Sequence, residues 1–296
     1  MSFLTIRHKT EYCYASSVSF GKHRLMLRPR DGHDLRLLEE KLKITPTPSS
    51  LKWIHDIFGN TVAIASFDVS SPTLTFDSTI TVEHNPVEEM TLTPDDAAYH
   101  YPFIYDIDEM PDLMSFITPQ YNDKDGELAA WALTHLTPGE RTRSHDLLRA
   151  ITLGIHESFD YRRRHERGTQ HPLDTLQTKS GTCRDFALLM IEALRRLGIA
   201  ARFVSGYIFI PQDFETSFVG GGSTHAWVQA YLPSAGWIEF DPTNGILGSR
   251  DLIRTAVARD PEQALPLHGT YWGTPDAFRE MNVSIHVKTS PTPKEP

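Results

Sequence analysis

Alternating apolar and polar positions dominate the first third of the chain. Leu42 to Ile44, Thr61 to Val69 and Thr73 to Val82 carry alternating or β-branched runs, the period-2 pattern of half-buried strands. Pro46, Pro48, Gly59-Asn60 and Pro72 separate the runs, because proline and glycine turn the backbone off an extended course. Short strands at such spacing predict an antiparallel, β-sandwich-like domain over residues 1–95. Residues 96–140 read as a connecting segment, first rich in Pro, Asp and Tyr, then carrying a short helical pattern from Glu127 to Leu136.

The second half changes period. Leu147, Leu148, Ile151 and Ile155 predict a helix from Ser144 to Ser158, with Ser144 as its N-cap. Phe186, Leu189, Met190, Ala193, Leu194 and Leu197 predict another, starting at Cys183 and stopping at Gly198. Thr182 and Asp185 form a variant capping box at its start, with Asp in place of Glu. Three strand candidates follow: Ala200 to Ile210, His225 to Leu232 and Trp237 to Asp241. Met281 to Lys288 alternates again and predicts one more. The whole reads as α+β: the β domain, the connecting segment, a core over residues 141–290, and a disordered tail over 291–296.

Composition narrows the function classes. A length of 296 residues exceeds what one core usually grows to, so two compact units are expected. A net charge of −9 argues against a general nucleic-acid binder. No apolar run reaches the length of a membrane-spanning helix. The N-terminal residues show no signal-peptide pattern, so a cytoplasmic address is the expectation. Two cysteines exclude a disulfide scaffold and a four-cysteine metal site, and each must be explained singly.

Cys183 has the most reactive context. It falls on the first turn of a predicted helix, where unpaired N–H groups and the helix dipole favour thiolate over thiol. The same N–H groups suit a developing oxyanion. A nucleophilic cysteine needs a base, and the base an orienting group. His225 and Asp241 are the candidates, on consecutive strands joined by a tight turn. They share a face only if the intervening loop is odd-numbered or the hairpin is bulged; a regular four-residue loop, Pro233 to Gly236, would separate them.

Four blocks then occur in order: Ser180-Gly181-Thr182-Cys183-Arg184-Asp185-Phe186-Ala187, Ala201 to Tyr207, Thr224-His225-Ala226-Trp227-Val228, and Gly236-Trp237-Ile238-Glu239-Phe240-Asp241-Pro242-Thr243-Asn244-Gly245. This series resembles the bacterial transglutaminase-like family, whose core is papain-like. His8 to Tyr14, Leu25-Met26-Leu27-Arg28-Pro29-Arg30 and Asp56-Ile57-Phe58-Gly59-Asn60 resemble that family's leading β domain. The resemblance implies that Cys183 attacks an amide carbonyl, often the γ-carboxamide of glutamine, and that a thioester passes to water or an amine. His225 would shuttle the proton and Asp241 hold its tautomer. By block position, Tyr161 is expected to line the oxyanion region, and Tyr207 and Trp227 to wall the cleft. The implied partner is a peptide or protein substrate, with no nucleic acid, no membrane, and a homo-oligomer left open. No cofactor and no metal are expected. Three readings stand: a cysteine hydrolase, an acyltransferase, and a silent binding or scaffold module of the same fold.

Other features read more blandly. Cys13 is expected to be a small buried hydrophobe, and Asp185 a cap. Arg162, Arg163, Arg164 and Arg167 read as a solvated loop, and His165 with His171 as weak zinc evidence. Asn122 to Gly126 fails as an EF-hand loop and reads as a solvated turn. Gly220 to Gly222 reads as a flexible flap beside His225, or as a simple loose connection.

Overall fold

The computed structural model describes residues 2–86, 96–163, 168–210 and 223–290. The N-terminal region is two packed antiparallel sheets. Its strands are β1 (Ser2–Phe20), β2 (His23–Leu25), β3 (Leu35–Thr45), β4 (Ser50–His55), β5 (Thr61–Ser66) and β6 (Ser70–His84). β1 pairs with β6, and β6 with β3; β2, β5 and β4 form the second sheet. Inward residues alternate as the sequence pattern requires, and Phe20, Leu25, Ala63, Ala65, Leu74 and Phe76 fill the space between the sheets. Each large apolar side chain buried there contributes about 1.5–3 kcal/mol.

Four helices follow: α1 (Asp96–Tyr99), α2 (Met110–Ile117), α3 (Glu127–Leu133) and α4 (Ser144–Ser158). The core then runs β7 (Asp160–Tyr161), α5 (Pro172–Thr178), β8 (Ser180–Gly181), α6 (Cys183–Arg196), β9 (Ala201–Ile208), β10 (His225–Leu232), β11 (Gly236–Asp241), β12 (Ile246–Leu247) and β13 (Leu252–Ala258). Its antiparallel sheet has the order β12-β11-β10-β9-β13. The apolar stripe of α6 (Phe186, Leu189, Met190, Ala193, Leu194) packs with Phe203, Val228, Ala230, Ile238 and Phe240 of that sheet in one cluster.

Three expectations need correction. Residues 141–290 do not all belong to the core: β14 (Leu267–His268) pairs with β2, while β15 (Tyr271–Trp272) and β16 (Phe278–Thr289) pair with β1. Alternation announces a strand but not its partner, so the return to the first sheet was invisible in the period. Ser144 is not the N-cap of α4; Arg143 takes that position and Ser144 Oγ donates to the Ala98 carbonyl at 2.7 Å. Asn122 to Gly126 is more than a solvated turn. Asp123 accepts from the Leu128 and Ala129 N–H groups at the start of α3 and pairs with Arg196 at 3.0 Å.

Arg196 belongs to a buried network that ties the connecting segment to α6. Glu192 receives Arg195 at 2.9 Å and Arg196 at 2.7 Å, and its carboxylate also accepts from the Gln120 and Tyr121 N–H groups. Both charges of the Glu192–Arg195 pair are fully buried, a state stable only when every polar atom is matched.

Contacts of several kinds join the β region to the core. Tyr207 and Ile253 cluster with Leu4, Ile6, Leu35, Ile80 and Val82. At the free edge of β13, the Asn60 side chain behaves like a strand: Nδ2 donates to the Val257 carbonyl at 2.7 Å, and Oδ1 accepts the Val257 N–H at 2.9 Å. Asp56 holds that amide in place by accepting from the Phe58 and Asn60 N–H groups and from Asn60 Nδ2.

Candidate active site

Cys183 is the first residue of α6, and the local sequence puts it there. Asp185 Oδ2 accepts from the Thr182 N–H at 2.8 Å and its hydroxyl at 2.9 Å, while Oδ1 accepts from the Gln170 N–H at 2.6 Å. Asp185 is thus the cap expected from the sequence, and it fixes the loop from which Cys183 emerges. A Cβ on Gly181 would lie 2.8 Å from Asp185 Cβ, so glycine is what lets this loop pass over the cap. β7 and β8 pair in parallel, with Tyr161 opposite Gly181. Burial, and next the charge of Cys183, raise the proton affinity of the Tyr161 hydroxyl. The structure therefore places Tyr161 against the strand that leads into Cys183.

The hairpin of β10 and β11 has a three-residue loop. Leu232 pairs with Gly236 and Val228 with Phe240, and Ser234 and Gly236 take φ values of 64° and 73° to close it. This odd-numbered loop gives the register in which His225 and Asp241 share a face. His225 Nε2 lies 2.7 Å from Asp241 Oδ2, and both side chains are fully buried. The Asp-Pro-Thr-Asn-Gly turn holds the carboxylate: Oδ1 accepts the Thr243 N–H at 2.9 Å, and Oδ2 accepts Asn244 Nδ2 at 2.9 Å. His156, from the last turn of α4, pins the turn by bonding through Nδ1 to the Thr243 carbonyl at 2.9 Å.

Burial alone would lower the proton affinity of His225. The charge and hydrogen bond of Asp241 outweigh it, with a further contribution from Cys183, and the imidazole's pKa rises above its ordinary 6.5. Burial opposes ionisation of Asp241 too, yet His225, Asn244 and the Thr243 N–H hold its carboxyl below the usual value. With Nε2 committed to Asp241, Nδ1 is the nitrogen left for the thiol. Cys183 lies near enough to raise the imidazole's proton affinity. No hydrogen bond of standard geometry reaches Nδ1 among the described residues.

Trp227 and Tyr207 do not wall a cleft. Trp227 is fully buried and stacks behind His225, with ring centroids 5.9 Å apart and planes 26° apart. It can orient the imidazole but cannot touch substrate. Tyr207 lies on the other face of the sheet, because the register sets Gly206, not Tyr207, opposite His225. Its hydroxyl bonds His8 Nδ1 at 2.9 Å in the junction with the β region. Gly206 itself is required: a Cβ there would sit 2.7 Å from Trp227 Cη2 and 2.1 Å from the Ile253 carbonyl oxygen.

The remaining candidates separate clearly. Arg162 pairs with exposed Asp160 at 3.2 Å, a solvated contact. Arg164, His165, Arg167 and Gly220 to Gly222 lie outside the described residues, as does the tail over 291–296. His171 caps α5, its Nδ1 accepting the Leu173 N–H at 3.2 Å. No group of three potential metal ligands occurs among the described residues. Cys13 is half-buried and free. Among the described residues, no helix is long and apolar enough to cross a membrane. The sequence reading missed Asn244, His156 and Gly206. Asn244 had a signal, since it stands in the same turn as Asp241; the other two had none before the sheet was assembled.

Known proteins resemble this chain over most of its length. Residues 4–83 match the bacterial transglutaminase-like N-terminal region, and residues 132–242 match the transglutaminase-like superfamily. An uncharacterized protein of Mycobacterium tuberculosis is 28% identical over 294 residues, covering 95% of this chain and 91% of its own. A protein-glutamine gamma-glutamyltransferase of Pseudomonas aeruginosa is 36% identical over 93 residues, 29% of this chain and 13% of its own. The fold is shared by a crystal structure from Cytophaga hutchinsonii, described as a candidate cysteine protease, at a TM-score of 0.70 and 21% identity, covering 100% of this chain and 93% of that one.

Proposed function

Because the chain belongs to the transglutaminase-like superfamily, with that family's bacterial N-terminal region ahead of the core, we propose that it is a cysteine-dependent enzyme acting on peptide or protein amides. The observation that carries this reading is the buried His225–Asp241 pair with its unbonded Nδ1, together with Cys183 at the start of α6.

In the proposed reaction, the Cys183 proton already rests on His225 Nδ1, whose affinity is raised, and the thiolate sulfur attacks the amide carbonyl. The negative oxygen of the tetrahedral intermediate meets backbone N–H groups at the start of α6. His225 then returns the proton to the leaving nitrogen, the C–N bond breaks, and an acyl thioester remains on Cys183. Water, deprotonated by the same imidazole, releases the acid; an amine in its place completes a transfer. Asp241 keeps the Nε2 proton and stabilises the imidazolium, and Tyr161 lines the approach. We favour water as the acceptor, with an amine as the second reading, since a stretch of the chain resembles a protein-glutamine gamma-glutamyltransferase.

The test is covalent. Native protein is treated with iodoacetamide from pH 5 to 9, and Cys183 and Cys13 are followed separately by peptide mass spectrometry, in wild type and in His225→Ala. Cys183 should alkylate at low pH, at least tenfold faster than Cys13, and lose that advantage in the variant. An ordinary, pH-steep reaction of Cys183 in both proteins would leave only the silent binding-module reading.

A further inference from the structure

A cavity of about 340 Å³ lies where the β region meets the β10–β11 hairpin of the core. It brings three guanidinium groups together: Arg30 from the loop after β2, Arg202 from β9 and Arg254 from β13. Arg30 closes the Leu25-Met26-Leu27-Arg28-Pro29-Arg30 stretch, which the proposed reaction does not use.

The charges in this cavity are unevenly matched. Asp34 grips Arg254 with both oxygens, at 2.8 Å each. Glu239 also turns to Arg254, at 3.2 Å. Asp31 accepts the Leu37 N–H through Oδ1. Asp56, whose charge reaches Arg30, has both oxygens engaged in its own turn. Two carboxylates thus serve one arginine, and Arg30 and Arg202 have no ion-pair partner among the described residues. Arg30 bonds the Phe58 carbonyl through NH1 at 2.7 Å. Arg202 bonds Gln229 through Nε at 2.8 Å and lies 3.9 Å over the Trp237 ring.

Stacking and one bond per side chain fix both guanidiniums while leaving N–H donors unspent. Burial, and then the charges of Arg30 and Arg254, work against the proton on Arg202, and the charge of Glu239 offsets them only in part. Such a cluster is costly when empty and is relieved by an oxyanion, which accepts bidentate bonds from guanidinium planes.

We infer that this cavity is a binding site for a small oxyanion, a carboxylate or a phosphate group, held between Arg30 and Arg202 against the Trp237 ring. Its volume equals about ten waters at roughly 30 Å³ each, enough for a small dicarboxylate or a phosphate ester and too little for a folded partner. The site lies on the same face of the sheet as His225 and Asp241. Gln229 and Glu239 line it, one alternation along their strands from Trp227 and Asp241.

Isothermal titration of the full chain at low ionic strength tests this with inorganic phosphate, succinate and neutral succinamide. Saturable binding is expected for phosphate or succinate, with none for succinamide, and the affinity should fall as salt is added. A response to phosphate alone assigns a phosphate group, and a response to succinate alone assigns a carboxylate. Arg30→Gln and Arg202→Gln should each weaken binding at least tenfold, while the exposed control Arg162→Gln leaves it unchanged. If a glutamine variant does not fold, the wild-type preference for succinate over succinamide still decides. Absence of saturable binding by both anions, equal binding of succinamide, or wild-type affinity in folded Arg30→Gln and Arg202→Gln proteins would overturn the assignment.

Discussion

Asp241→Asn keeps the shape of the buried pair and deletes its charge. An asparagine that accepts the Thr243 N–H through its one oxygen turns its own N–H donors toward His225 Nε2 and Asn244 Nδ2, which now donate into that position. The imidazole must shed its Nε2 proton and carry one on Nδ1, the wrong tautomer for taking a proton from Cys183. The protein contains its own scale for the size of the effect. His8 is buried with only the Tyr207 and Thr10 hydroxyls as partners, and burial pushes it down to about 4. Without the carboxylate, His225 should likewise fall from above its ordinary 6.5 to below it. A drop from about 10 to below 6.5 is at least ~3.5 units, about 5 kcal/mol, at the upper end of the ~3–5 kcal/mol typical of breaking a buried ion pair.

The sign fixes the pH window. In the wild type the raised affinity of His225 stabilises the fold in full below 6.5 and is lost as pH rises through the folded value, about 10. The depressed Asp241 contributes above 3.8 and is lost as pH falls through its folded value. The deficit of the variant should therefore be greatest between those two ordinary values and shrink toward pH 10. Imidazole NMR titration and urea unfolding at pH 6 and pH 10 measure both quantities. A His225 that titrates within half a unit of wild type, or a deficit equal at the two pH values, would refute the electrostatic account.

Two further substitutions probe the framework. Asn60→Ala leaves the buried Val257 N–H and carbonyl without partners, at about 1–3 kcal/mol each. Urea unfolding should show a loss of at least about 2 kcal/mol, and amide exchange should show Val257 unprotected. Gly206→Ala drives a methyl to 2.1 Å from the Ile253 oxygen; it should cost about 1–3 kcal/mol or more and bring Cys183 alkylation toward the rate of Cys13, whereas wild-type stability would contradict the tight register.

Much of the site was legible because its parts are local. The helix start at Cys183, the cap at Asp185 and the order of His225 and Asp241 lie in short contiguous blocks, and strand parity required an odd-numbered loop or a bulge if His225 and Asp241 were to share a face. What escaped depends on tertiary partners. Tyr207 sits one residue from Gly206, and only the pairing of β9 with β10 tells which of them faces His225. Arg195 and Arg196 look like ordinary basic residues closing an exposed helix end, yet the segment 110–123 covers them. Glu192 compensates their burial, and its spacing from the two arginines matches an unremarkable surface pair. Trp227 reads equally as a cleft wall or as core, and the glycine that makes room for its ring lies on another strand.

β16 has a consequence for synthesis. Its eleven paired positions lie along β1 from Leu4 to Tyr14, so β1 keeps one edge unpaired until residues 278–289 have left the ribosome. At ~5–20 residues per second, that wait after β6 is complete lasts on the order of 10–40 s. An alternating strand with one open edge is a template for a neighbouring nascent chain. A product stopped after Ala264 would keep every candidate catalytic group and still expose that edge, so its expected fate is aggregation between copies rather than a soluble, smaller enzyme.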